Sequence, residues 1–450
     1  MAPTLSALAK DLASGRTSSV TLVREALSRI EAPDGEGRLA FLKVHRAAAL
    51  TAAQAIDDLR SIGLAPSPFA GIPISVKDLF DLAGEPTPAG SAVLANTTPA
   101  THDAPAIARL RRAGFVVVGR TNMSEFAFSG LGLNPHYGTP ASPFDRTTRR
   151  IPGGSSSGAA VSVADQMAYA GIGSDTGGSC RIPAAFCGIV GYKPTAASVP
   201  REGTFPLSTT LDSIGPIANS VDCCRILHTI MSYAEFSTSA PRPLAGLRLA
   251  VPGTVALDGL DDHVAACFER TLAGLSEAGA KIVDLPMTVL ADVGRMNHKG
   301  GFSAPEAYAR HRALVLERGD EYDPRVRQRI LRGQHQDAAD YIELVRAREA
   351  FVSAVRNEIT PFDALLLPTV PTVAPTIAEL ERDDDAFTRV NLLMLRNPTL
   401  INMMDGCAIS LPMHREGEAP AGLMLAAGGG ADANLFAIAA AVEAELALRR

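Results

Sequence analysis

Two stretches dense in glycine and serine hold the residue types best suited to chemistry. One is Gly153-Gly154-Ser155-Ser156-Ser157-Gly158. The other is Gly173-Ser174-Asp175-Thr176-Gly177-Gly178-Ser179-Cys180-Arg181-Ile182-Pro183. Glycine runs let backbone N–H groups turn toward one point, so the first stretch reads as a phosphate cradle or as a plain turn. A P-loop needs GxxxxGK followed by Ser or Thr, and no Lys follows Gly158, which disfavours a nucleotide site. In the second stretch, consecutive glycines before Ser179 allow several N–H groups to converge where negative charge develops on a carbonyl. A serine at the end of such a loop is placed to attack that carbonyl. The plain alternative is a tight turn with an exposed serine.

A nucleophilic serine needs a base. Of the nine histidines, only His136, in Asn134-Pro135-His136-Tyr137-Gly138, stands in a similar loop context, and a structural role is expected for it. The other candidate is Lys77, in Pro73-Ile74-Ser75-Val76-Lys77-Asp78. It follows an apolar run, and a Lys removed from water loses its charge more readily and can accept a proton. Asp175 and Arg181 are expected to pair and pin the loop. Ser156 either orients Ser155 or Lys77 or only makes the turn. Cys180 and Cys187 are expected to pack as small buried residues.

The elements that must position these groups alternate between helix and strand. Val20, Val23, Leu27 and Ile30 recur at helical spacing after a Ser cap, and Ala48–Ile62 and Ala104–Ala113 also read as helices. Gly71–Asp78 reads as a strand running into a turn, and Phe115–Gly119 as a buried β-branched strand. Strands are expected at Leu247–Pro252, Lys281–Leu285 and Asp363–Thr369. Helices are expected at Asp261–Ala278, through Arg325–Thr360 and at Leu435–Arg449, with a connection at 237–243. Such alternation favours an α/β fold.

Composition bounds the function. The 450 residues carry 42 Lys+Arg against 48 Asp+Glu, and a net charge of −6 argues against a general affinity for nucleic acid. No Trp is present and aromatic residues are 5%, too few for a base-stacking platform. Six cysteines without CxxC spacing suggest neither a zinc site nor a disulfide framework. No apolar run is long enough to span a membrane and the start lacks a signal-peptide pattern, so a cytoplasmic protein is expected.

Taken together, the quoted stretches resemble the amidase signature family. Ser155 stands 24 residues before Ser179, which is the family spacing. Gly71–Asp78, Thr121-Asn122-Met123-Ser124-Glu125-Phe126-Ala127, Phe186–Thr195 and Pro368-Thr369 resemble further family stretches, so the likeness spans nearly the whole chain. It implies one large α/β domain over residues 1–450, with a central twisted mixed β-sheet covered by helices on both sides. Its catalytic core would run from about 65 to 230 and a variable pocket segment from about 245 to 360. It implies an amidohydrolase that cleaves a carboxylic amide to acid plus ammonia or amine through a seryl acyl-enzyme. Ser179 would be the nucleophile, Ser155 the bridging serine with a cis peptide, and Lys77 the base. The N–H groups of Thr176, Gly177, Gly178 and Ser179 would hold the oxyanion, and Phe128, Ser129 and Gly130 would contact substrate. The resemblance implies no cofactor or metal, a small-molecule amide as partner, and a homodimer. Tyr308 and Tyr322, in the variable segment, receive no role.

The alternative is the glutaminase (A) subunit of a tRNA-dependent amidotransferase. The Glu125–Asn134 loop departs from the MGSSTENS-like pattern of those subunits. A catalytically retired binding protein is disfavoured, because Lys77, Ser155 and Ser179 are all present. The acyl group stays open among aliphatic, aryl, indole-acetic and urea-derived amides.

Overall fold

The computed structural model describes residues 2–232 and 242–449. The expected connection at 237–243 therefore lies outside the described residues, apart from Arg242 and Pro243. The strands are β1 (Phe41–Val44), β2 (Pro73–Lys77), β3 (Val116–Thr121), β4 (Ala170–Asp175), β5 (Val190–Lys193), β6 (Ser213–Ala218), β7 (Arg248–Pro252), β8 (Lys281–Leu285), β9 (Ala364–Pro368), β10 (Cys407–Pro412) and β11 (Gly422–Ala427). They form one sheet of 11 strands in the order β1-β3-β2-β4-β6-β5-β10-β11-β9-β7-β8. The sheet is mixed: β2 runs parallel to β3 and β4, and β7 parallel to β8 and β9, while the remaining neighbours are antiparallel.

Both faces are apolar because side chains alternate along each strand. Val117 joins one core cluster, while Val116 and Val118 join another. Leu366 and its neighbours Leu365 and Leu367 divide in the same way. Such a sheet must be covered on both sides. The helices Ser19–Ile30 and Arg46–Ser61 contribute Val23, Leu27, Ala49 and Ala53 to one cluster. On the other face, Pro105–Arg112, Val221–Met231 and Asp432–Leu448 contribute Leu110, Leu227 and Leu435. The expected cap is present, with Ser18 accepting a hydrogen bond from the Thr21 N–H. The expected helical stretch 325–360 forms as Pro324–Arg332 and Ala338–Ile359. Among the described residues no helix is long and apolar enough to cross a membrane.

Candidate active site

Parallel pairing of β2 with β4 brings the carboxyl ends of both strands to one edge of the sheet. Such edges are where α/β folds gather ligand-binding groups. Lys77 is the last residue of β2, and Ser174 and Asp175 close β4. The Lys77 side chain has no exposed surface. Its Nζ donates to Ser155 Oγ at 2.7 Å and to Ser174 Oγ at 2.9 Å. Burial pushes its pKa down to about 8, against the opposing pull of Cys180, Asp175 and Asp212. A share of this amine is therefore uncharged near neutral pH, as a proton acceptor must be.

Ser155 is fixed from several directions. Its peptide bond with Gly154 is cis. Its carbonyl accepts from the Ser124 N–H at 3.1 Å, and the next N–H, of Ser156, donates to the Ser179 carbonyl at 3.3 Å. The Gly154 N–H donates to the Gly130 carbonyl at 2.8 Å. The two backbones touch here. A Cβ on Gly154 would lie 2.4 Å from the Gly132 nitrogen, and one on Gly132, whose φ is +85°, would lie 2.4 Å from the Gly153 oxygen. Ser156 Oγ turns to the Ser174 carbonyl at 3.4 Å, on the strand that carries the second hydroxyl partner of Lys77.

The loop after β4 is held by Asp175, as expected. The carboxylate and the Arg181 guanidinium are both without exposed surface and pair at 2.8 Å and 3.0 Å. The same carboxylate accepts from the Gly178 N–H at 2.9 Å, the Cys180 N–H at 3.1 Å and Asn402 Nδ2 at 3.0 Å. Burial alone would raise the Asp175 pKa, but Arg181 overrides it and holds the carboxyl well below the usual carboxylate range. One expectation needs correction. The Gly178 N–H is committed to Asp175 and is no free oxyanion donor, because the carboxylate that shapes the loop takes it first.

A cavity of about 440 Å³ opens against this loop. Thr176, Gly177 and Ser179 line it, with Phe128 and Ser129 from the loop after β3. Gly130 is not in the lining. Its N–H and Ser129 Oγ both donate to Asn391 Oδ1, at 2.9 Å and 3.0 Å, so Gly130 anchors the wall. The 290–304 stretch also lines the cavity, within the expected variable segment.

His136 lies elsewhere. Its Nε2 contacts Glu125 Oε1 at 2.9 Å, and that hydrogen bond raises its pKa. Glu125 also accepts from Ser91 Oγ and from the Asp323 N–H, so this pair ties loops together. Tyr322 is buried with its Oη 3.1 Å from His311 Nδ1, outside the cavity lining. Cys180 and Cys187 are buried, and burial pushes both thiols up.

Three contributors receive no role from the sequence: Ser174, although it lies inside the second quoted stretch, and Asn391 and Asp212, which no motif marks. The Asp212 carboxylate accepts from Thr176 Oγ1 at 2.5 Å and from the Leu207 and Ser208 N–H groups at 3.0 Å and 3.1 Å. Burial pushes its pKa up to about 6. Away from the cavity, His263, Cys267 and Glu418 converge, but the Arg270 guanidinium, itself a cation, already donates to both Glu418 (2.7 Å) and Cys267 (3.2 Å).

Comparison with known proteins agrees with this architecture. The family model described as Amidase matches residues 21–436. The 2-amino-5-chloromuconic acid deaminase of Comamonas testosteroni is 34% identical over 403 residues, 88% of this chain and 86% of that protein. The glutamyl-tRNA(Gln) amidotransferase (A) subunit of Chloroflexus aggregans is 35% identical over 460 residues, 94% and 92% of the two chains. A solved amidase superposes with a TM-score of 0.87 at 31% identity, covering 98% of this chain and 99% of its own. A single domain built on a mixed sheet, with near-complete alignment to these proteins, places the chain in the amidase signature family, as a hydrolase acting on carbon–nitrogen bonds.

Proposed function

We propose that this chain hydrolyses a small carboxylic amide through an acyl-enzyme on Ser179, with Ser155 as proton bridge and Lys77 as base. The observation that carries this reading is the Lys77 amine. It is fully buried, lowered to about 8, and bonded to two hydroxyls behind the loop that presents Ser179 to the cavity.

In this mechanism Ser179 Oγ attacks the amide carbonyl while Ser155 takes its proton and passes its own to Lys77 Nζ. The backbone N–H groups of Thr176, Gly177 and Ser179 would hold the oxyanion. The C–N bond breaks as the proton returns through Ser155 to the departing nitrogen, which leaves as ammonia or amine. Water then attacks the ester carbonyl, its proton travels the same route, and the acid departs from a regenerated serine. Phe128 and Ser129 would border the acyl group.

The cavity favours a stand-alone amidase over a glutaminase subunit. No Asp or Glu lines it among the described residues, so the ammonium of a free amino acid would find no counter-charge there. The test is a panel of alkyl, aryl and amino-acid amides offered to the isolated chain and to Ser179→Ala and Lys77→Ala. The reading expects turnover by the isolated chain, none by Ser179→Ala, and a loss of about 10²–10⁴-fold in Lys77→Ala. Wild-type rates in either variant would overturn it. Activity only with added partner proteins and tRNA would favour the glutaminase.

A further inference from the structure

The cavity beside Ser179 carries charge of one sign. Arg329, Arg332 and Arg396 line it, and no carboxylate among the described residues does. The groups that hold these arginines are neutral. Arg329 Nη1 donates to the Phe128 carbonyl, and its guanidinium sits 5.1 Å from the Phe387 ring centre. Arg332 Nη2 donates to the His298 carbonyl at 2.9 Å. Arg396 donates to Asn397 Oδ1 at 3.0 Å and to the carbonyls of Asp258 and Ala256. Carbonyl oxygens satisfy N–H groups but neutralise no charge. Asp323 and Asp258 act on Arg329 and Arg396 only from outside the lining, and burial pushes Arg329 down to about 10. Much of the remaining wall is apolar, with Leu290, Val293, Leu395 and Leu400 among it. Like charges in such an enclosure raise one another's cost, and an anion entering it relieves that cost. A guanidinium also matches a carboxylate in shape, with two parallel N–H donors for two oxygens.

We propose that the cavity is built for the half-amide of a dicarboxylic acid, with the amide carbonyl at Ser179, an apolar middle along the leucines, and the far carboxylate received by Arg332 and Arg396. Arg332 is exposed and Arg396 half-buried, which sets them toward the solvent end of the cavity. Arg329, bonded to the carbonyl of a wall residue, adds to the positive field but also shapes the pocket. The proposal rests on the amide-hydrolysis reading of Ser179, and its test separates the two.

Wild-type enzyme is assayed on succinamate against butyramide and on glutaramate against pentanamide. The half-amide is expected to be preferred by about tenfold or more in kcat/KM, chiefly through KM, as a charge-assisted contact gives. That preference should shrink at high salt. In the double variant Arg332→Gln/Arg396→Gln, the ratio of half-amide to neutral amide should fall toward one. Independently, free glutarate should slow fluorophosphonate labelling of Ser179 in the wild type, and pentanoate should not. Equal rates on both amide classes, an unchanged ratio in the double variant, or equal protection by glutarate and pentanoate would each overturn the proposal. Failure of Ser179 to label at all would instead remove the hydrolase chemistry beneath it.

Discussion

Replacing Asp175 by Asn should unfold the loop that presents Ser179 before it unfolds much else. The wild-type carboxylate accepts five hydrogen bonds, from Gly178, Cys180, Asn402 and two nitrogens of Arg181. Both members of the ion pair have no exposed surface. An Asn of the same shape removes the negative charge, turns one acceptor into a donor, and leaves Arg181 as a buried cation without a counter-ion. Breaking a buried pair from one side costs about 3–5 kcal/mol, a large part of the roughly 5–15 kcal/mol that holds a typical protein folded. The assay is urea unfolding followed by circular dichroism at neutral pH, with the rate of fluorophosphonate labelling measured alongside. The sign with pH is defined. The Asp175 pKa is lowered in the folded state, so its contribution is present above the ordinary carboxylate range and is lost only as pH falls through the lower folded value. A second variant, Asp175→Asn/Arg181→Met, removes the orphaned charge and should recover part of the loss. A single variant with the wild-type midpoint, or a double variant no more stable than the single, would refute this account of the loop.

The other predictions concern Lys77 and its surroundings. Because its pKa is lowered to about 8, kcat/KM should rise with pH and level off above about 8. At pH 7 only about one tenth of the base would be neutral, and this limb should be missing from the residual activity of Lys77→Ala. Lys193, also lowered to about 8 but donating to the Pro194 carbonyl at 2.9 Å, should leave no mark on that profile, so a limb that persists without Lys77 would contradict the assignment. Ser174→Ala removes one of the two acceptors of the Lys77 ammonium. Turnover should fall about tenfold and the limb should move to lower pH, since the charged form loses a partner; a wild-type pH profile would show that Ser174 does not bear on the base.

Much of the site is legible in the sequence because its signals are local. Lys77 follows an apolar run that does form a strand, and the Gly-Gly-Ser order of residues 177–179 does form a sharp loop beside a cavity. The pairing of Asp175 with Arg181 follows from their spacing and opposite charge. What escapes such reading depends on neighbours brought from afar. β4 reads Ala-Gly-Ile-Gly-Ser-Asp and carries no β-branched run, because the helix Ser157–Ala164 presses on it: a Cβ on Gly171 would lie 3.0 Å from the Ala159 carbonyl. β6 holds a proline, which argues against a strand in sequence, yet it pairs with β4 and β5. Ser174 reads as one more loop serine, and only the pairing of β4 with β2 brings it to Lys77. Asn391 and Asp212 reach Ser129 and Thr176 from 262 and 36 residues away, with no motif to mark them. Glycine runs favour converging donors, which points the Gly178 N–H at substrate; the Asp175 carboxylate three residues earlier competes for it and wins.

The most direct test is site-resolved acylation. Intact protein is treated with a fluorophosphonate, whose phosphorus a nucleophilic serine attacks with loss of fluoride, and the modified peptide is identified by mass spectrometry over a range of pH. The account predicts one phosphonyl group per chain, on Ser179, formed at a rate that rises with pH through about 8 and drops by orders of magnitude in Lys77→Ala. A label on Ser155 or on any other serine, or an unmodified Ser179 in folded enzyme that still turns over amide, would contradict it.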